Sequence, residues 1–282
     1  MFISLISIML LFSVAQASKF EIGASFGYGS TTQRYDSTGK AQDIQGTSSV
    51  LNLGLSGKYY VFSPDIGPKV YLGGKFKLSQ HQFSPKQGES SSSGFAPQYI
   101  AILVGANYLF VSGKLGFQLD LGPKPDQNKR ENSDRQNAIL IGLGANVPFM
   151  AGLGDFHANF DYAFTLEKTE DNVTYDMGDN IILTFGGGYK FALSEVVSIR
   201  FGLDIIYRII TAEKMKVGNA TVEGEGGNNL SIMPYFNYKT GPLGLWLKLG
   251  YSDEYGYYGI SIMGKNSFVS RLGVSAGLKF SY

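Results

Sequence analysis

Lys114-Leu115-Gly116-Phe117-Gln118-Leu119-Asp120-Leu121 alternates without a break: every odd position is Leu or Phe, and the even positions are Lys, Gly, Gln and Asp. Successive side chains of an extended chain point to opposite sides, so a period of two over a whole segment makes a strand with one apolar and one polar face. The same pattern recurs on both sides of this stretch. Apolar residues two apart run through 20–28, 51–61, 70–78, 100–108, 139–147, 156–164, 181–191, 197–207, 230–238, 243–251 and 268–282. Phe156, Ala158, Phe160, Tyr162 and Phe164 are one such set, and Pro234 interrupts another. With the opening stretch, these segments predict twelve strands.

The connections between them alternate in length. Five are short, at 63–68, 111–112, 150–154, 192–196 and 239–242. Six are long and polar, at 34–47, 81–97, 122–135, 167–179, 210–228 and 252–267. Short turns at one end and long loops at the other resemble the layout of bacterial outer-membrane barrels, whose short turns are periplasmic. A soluble sandwich also alternates, but its polar faces meet bulk water and its apolar faces fill a core. Here the polar parity is rich in Gly, Ser, Asn, Lys and Asp, a face suited to a wet lumen. Strands of about 9–11 residues match a tilted membrane crossing, and closing the sheet removes the edges that an open sheet of this size would expose. The expected fold is therefore all-β: a closed antiparallel transmembrane β-barrel of twelve strands, with both termini periplasmic.

Composition narrows the alternatives. The 282 residues contain no Cys, which excludes disulfides and thiolate metal sites, and the net charge of +1 argues against a nucleic-acid partner. Gly reaches 37, against roughly 20 at average usage. Twenty Phe and 18 Tyr accompany a single Trp, and mean hydropathy is −0.02, so the apolar residues are patterned rather than abundant. Residues 3–14 form an apolar run followed by Ala15-Gln16-Ala17, which reads as a cleavable export signal over 1–17, although 1–4 lack a basic residue. The remainder, 18–282, is expected to be a single barrel domain. Aromatics gather near the short turns, at Tyr59, Tyr108, Phe149, Phe156, Tyr189, Phe191, Tyr238 and Phe280, as an interfacial girdle requires.

The last strand carries a motif. Val274, Ala276, Leu278, Phe280 and Tyr282 alternate up to a terminal aromatic. This resembles the C-terminal assembly signal of outer-membrane barrel proteins, which more often ends in Phe. The resemblance implies barrel assembly machinery and outer-membrane lipids as partners, and it identifies a class. In layout the chain also resembles small monomeric outer-membrane channels.

Candidate chemistry is sparse. Outer-membrane phospholipase A, also twelve-stranded, uses a His and a Ser two apart on a strand, and neither His81 nor His157 has a Ser at that spacing. Asp161 shares the inward face with His157 but stands four residues on, roughly 13 Å along the strand. Glu223-Gly224-Glu225-Gly226 reads more readily as a solvated loop than as a calcium site, and Gly186-Gly187-Gly188 lies inside a strand, not in a phosphate loop. No cofactor and no metal are expected.

The lumen is where function should lie. Carried through each strand, the polar parity points Lys19, Lys58, Lys69, Lys75, Lys77, Lys114, Lys190, Arg200, Arg208, Lys248, Arg271 and Lys279 inward, with His157. The inward acids are Glu21, Asp120, Asp155, Asp161, Glu167 and Asp204. The seventh strand supplies Asp155, Asp161 and Glu167 with no inward base, so a basic wall is expected to face an acidic one. Inward glycines such as Gly105, Gly142, Gly186 and Gly188 leave volume for water, while Tyr71, Tyr235 and Trp246 narrow the passage. The reading is a passive channel for small hydrophilic solutes with weak anion preference. The alternatives are an adhesive or structural barrel acting through its outer loops, and a barrel hydrolase. Orientation follows from the loop lengths: an epitope inserted within 122–135 is expected to bind antibody on intact cells, and one at 239–242 only after permeabilisation. The reverse labelling would overturn the orientation.

Overall fold

The computed structural model describes residues 20–35, 41–42, 46–63, 67–85, 91–92, 95–121, 137–170, 173–176, 178–212, 214–223, 226–256 and 268–281. The expected export signal 1–17, Lys19, the loop 122–135 and Tyr282 lie outside them. Twelve long strands follow in order: β1 Phe20–Tyr35, β2 Gly46–Phe62, β3 Lys69–Pro85, β4 Ala96–Tyr108, β5 Val111–Asp120, β6 Ala138–Phe149, β7 Gly154–Thr165, β8 Asn180–Ala192, β9 Val197–Ile210, β10 Gly227–Thr240, β11 Leu243–Gly256 and β12 Phe268–Ser281. Each pairs antiparallel with its sequence neighbours. β12 pairs with β1 from Glu21↔Ser281 to Tyr35↔Phe268 and closes a twelve-stranded barrel.

The two faces of the wall are opposite in kind. In β4, Ala101 and Leu103 are 1% and 5% exposed, while Ile102 between them is 68% exposed. Leu55, Leu143, Phe156 and Phe201 stand outward in the same way. A continuous outer band of large apolar side chains far exceeds what a monomeric soluble surface carries. It is the lipid-facing surface of a membrane barrel. At the turn end, rings pack in sequence round the rim: Phe149 on Phe156 at 4.7 Å, Tyr189 on Phe191 at 4.8 Å, Phe191 on Phe201 at 6.2 Å and Phe201 on Phe236 at 5.2 Å between centroids.

Several boundaries differ from the sequence reading. β2 and β3 have 17 residues each, and β3 runs through His81, which the sequence placed at a loop edge. Beyond the hydrocarbon an outward side chain gains nothing by being apolar, so the alternation fades while the backbone ladder continues. The β4–β5 turn is Leu109-Phe110, closed by Tyr108↔Val111, and not 111–112. Leu109 there takes φ 52°, a conformation that no sequence rule assigns to Leu. Pro234, which interrupts the alternation of β10, lacks a ladder donor and so predicts a bulge or irregularity. Its register with β9 is unbroken at Leu203↔Pro234. On the β11 side the pairing lapses between Ile232↔Tyr251 and Tyr235↔Lys248 and resumes without a shift. The missing N–H therefore faces β11, and it removes rungs without adding a residue.

Two long connections are not simple polar loops. Lys168–Glu170 pairs with Val173–Asp176, and Lys214–Val217 pairs with Ala220–Glu223. The two hairpins join each other through Val173↔Val217 to Asp176↔Lys214, forming a four-stranded sheet beyond the barrel. Glu223 lies in it, with Lys214 Nζ at 3.1 Å; Gly224 and Glu225 fall outside the described residues.

The opposite character of the two faces predicts opposite tolerance. Ile102→Lys is expected to destabilise the barrel in lipid vesicles by about 2–4 kcal/mol. The same charge at inward Thr184 should cost less than about 1 kcal/mol. Urea titration of folding in vesicles measures both.

Candidate lumenal site

Backbone register decides which inward side chains share a level. One level runs Tyr60, Tyr71, Gly105, Lys114, Gly142, Asp161 from β2 to β7. Lys114 and Asp161 are two strands apart, and they form an ion pair across Gly142. A Cβ on Gly142 would sit 2.6 Å from the Asp161 carboxylate. The same device recurs at Gly186, where His157 Nε2 lies 2.9 Å from Asp204 Oδ1. A Cβ there would press on both atoms, at 2.5 and 2.6 Å. It recurs again at Gly188, over which Arg200 reaches Asp155. In each case the glycine leaves room for charges on next-but-one strands to meet.

The largest group spans β7 to β11. Asp155 binds Arg200, and its Oδ1 lies 3.6 Å from His157 Nδ1. Asp204, 3% exposed, takes His157 on one oxygen and Lys248 Nζ at 2.6 Å on the other. The Tyr235 ring lies under Arg200 and Lys248, at 5.3 and 5.5 Å from its centroid. The sequence put Asp161 on the face of His157 but four residues on, beyond direct reach; the partners are Asp155, two residues away on the same strand, and Asp204 two strands away. His157 is thus held between two carboxylates, and no hydroxyl or thiol nucleophile contacts it among the described residues.

A second group closes the barrel seam. Glu21 on β1 accepts from Lys279 Nζ at 2.8 Å and from the Tyr60 hydroxyl at 3.2 Å, with Lys58 Nζ at 4.0 Å. Lys58 also lies 4.7 Å above the Tyr71 ring. Lys77 stands 5.9 Å from the Tyr99 ring, and Arg208 Nε donates to Asn180 Oδ1 at 2.9 Å. Lys69 and Lys75 lie on β3 with side chains open to solvent. Arg271 takes its place in β12 opposite Thr31 and Ser252; its side chain is outside the described residues. Glu167 lies past the end of β7 and binds Lys216 of the loop sheet at 2.9 Å. That hydrogen bond, reinforced by the carboxylate charge, holds the Lys216 ammonium above its usual range.

The expected acidic wall is therefore neutralised. Asp155 is matched by Arg200, Asp161 by Lys114, and Glu167 belongs to the rim above the barrel. The basic surplus stays on β2 and β3. Tyr71 and Tyr235 face inward as expected, but the sequence reading missed the apolar residues beside them: Ala101, Leu103 and Ala138 are buried on the inner face. The available signal was the run Ile100-Ala101-Ile102-Leu103-Val104, apolar at both parities.

Among the described residues the lumenal ion pairs lie within one strand or link adjacent or next-but-one strands. Strand spacing and tilt put opposing walls of a twelve-stranded barrel ~24 Å apart, and two strand spacings cover only ~10 Å. These pairs lie along the wall and do not cross it. No family model and no curated protein matches the sequence. In fold the chain is similar to an outer membrane channel from Pseudomonas putida F1, with TM-score 0.62 and 10% identity over 93% of this chain and 96% of that one. It is also similar to the beta domain of the Bordetella autotransporter BrkA, with TM-score 0.55 and 10% identity over 94% and 100%. The likeness is one of outer-membrane barrel fold.

Removing a shared acid should cost more than removing an open one. Asp204→Ala strands His157 and Lys248 and is expected to lower stability by about 2–4 kcal/mol. The Asp161 side chain is 37% exposed, and Asp161→Ala should cost below about 1 kcal/mol. Equal losses in vesicle-refolding titrations would contradict the ordering.

Proposed function

We propose that this protein is a passive channel of a bacterial outer membrane for small hydrophilic solutes, with a weak preference for anions. The observation that carries the reading is the course of the lumenal ion pairs along the wall of a closed twelve-stranded barrel. A lumen whose charges pair over glycines keeps its centre for water, and charge in a narrow water-filled bore with low-dielectric walls selects among ions. Neutralisation of Asp155 by Arg200 and of Asp161 by Lys114 leaves the lysine-rich wall of β2 and β3, where Lys69 and Lys75 are open to solvent, to set the sign. The fold likeness to an outer membrane channel supports the reading, as does the lipid-facing band. In this account residues 1–17 direct export, 18–282 form the single barrel domain with both termini periplasmic, and β12 engages the assembly machinery.

A second reading has its own observation. The two-hairpin sheet presents Val217 and Val222, 47% and 38% exposed, beyond the membrane, a surface on which an adhesive barrel would act. Refolded protein in a planar bilayer separates the two: a channel gives discrete conductance steps, and an adhesin gives none. Lys75→Glu combined with Lys77→Glu is expected to move the reversal potential in a salt gradient toward cation preference. The shift should shrink in 1 M salt, where screening acts over ~3 Å. Insertion without conductance would end the channel reading.

A further inference from the structure

The basic surplus on β2 and β3 surrounds a definite place. Lys58 stands opposite Gly73, and Lys75, one level further out, stands opposite Ser56 and Ala101. Lys114 approaches from β5, opposite Gly105. Between these lysines the wall is nearly bare: Gly73, Gly105 and Gly116 carry no side chain. A Cβ on Gly105 would run into the Tyr71 ring, and one on Gly116 into Leu103. Tyr71 and Leu103 are thus pressed against the backbone, 4% and 5% exposed, and they form a flat floor. Around that floor Lys58, Lys75 and Lys114 lie within electrostatic reach of one another.

The acids nearby are already engaged. Glu21 holds Lys279 and Tyr60 and stands 4.0 Å from Lys58, its one charge shared between two lysines, and Asp161 holds Lys114. Lys75 makes no ion pair among the described residues, and the acid whose charge it feels is Asp161. Like charges gathered beside a low-dielectric wall repel, and a mobile counter-ion relieves that repulsion. A chloride ion can answer one ammonium. A compact ion with two charges and several acceptor oxygens can answer Lys58 and Lys75 together by charge-assisted hydrogen bonds.

We propose that Lys58 and Lys75, over the floor of Tyr71 and Leu103, bind a small oxyanion of the phosphate class, free or as a monoester, and that this site selects the anions entering the bore. The proposal rests on the channel reading, and its test keeps the two apart. Chloride current through the full chain in planar bilayers is titrated with inorganic phosphate, and in a parallel arm with glycerol phosphate, at constant ionic strength. Phosphate is expected to depress the current with half-effect at roughly millimolar concentration. Lys58→Gln with Lys75→Gln should raise that concentration about 10–100-fold while chloride still conducts. The double Arg variant should restore the effect, and Lys69→Gln should leave it unchanged. Depression by glycerol phosphate as well assigns monoesters to the site; depression by inorganic phosphate alone restricts it to the free ion. Calorimetry of phosphate binding to the refolded protein in detergent supplies the independent readout. Binding without conductance would retain the site and end the channel reading. Conductance indifferent to phosphate, with no binding heat, would overturn the site and leave the channel. A double Gln variant as sensitive as the parent would also overturn it.

Discussion

In hydrocarbon an unpaired backbone N–H or C=O costs several kcal/mol, with no water to relieve it. The ladder between β1 and β12 is where this chain meets that requirement, because without it two strand edges would face lipid. Much else follows from that closure. It needs the first and last strands to run antiparallel, so the strand number is even and both ends of the barrel domain emerge on one side. It fixes a single parity for every strand, since a slip of one residue anywhere would turn charges toward lipid. It also brings Lys279 and Lys58 to opposite sides of Glu21, a grouping that exists only once the seam is made.

Inside the wall, glycine placement does the work that loops and helix termini do in soluble sites. A strand interior would otherwise hold a charged side chain away from all but its direct cross-strand neighbours. Deleting the side chain of the intervening strand lets Lys114 find Asp161, and His157 find Asp204. Tyr71 and Tyr235 use the same openings to lie against the backbone at Gly105 and Gly202. The high glycine content of the chain therefore has a second cause beside the easing of strand curvature: it makes a charged interior compatible with a clear bore.

How far the fold could be read in advance depended on which force wrote each segment. Where lipid demanded apolar side chains, as in Leu115, Phe117 and Leu119, alternation fixed the strand, its faces and its order. Where water lay outside, as at the far ends of β2 and β3, nothing selected an alternating pattern, and the strands ran on unseen. Turn chemistry misled at Leu109-Phe110, because an apolar turn beside a membrane gains from Leu and Phe what Gly would gain from its backbone freedom. The charged lining was legible residue by residue, yet its pairing was not. Asp155, Asp161 and Glu167 looked like one acidic wall because they are close in sequence, whereas Arg200, Lys114 and Lys216 reach them from other segments through a register that only the closed sheet defines. The sequence did carry one overlooked sign, the doubly apolar run around Ala101 and Leu103.

The joined hairpins after β7 and β9 have a consequence for how such a protein can diversify. Each of them supplies an inner edge to the other, from Val173↔Val217 to Asp176↔Lys214, so neither surface segment is an independent unit. A recombination event that imported only one from a divergent homologue would leave its partner with an unmatched edge above the membrane. Variation in this part of the surface should accordingly be inherited in pairs, with residues some forty positions apart drifting together while the intervening strands β8 and β9 stay constant.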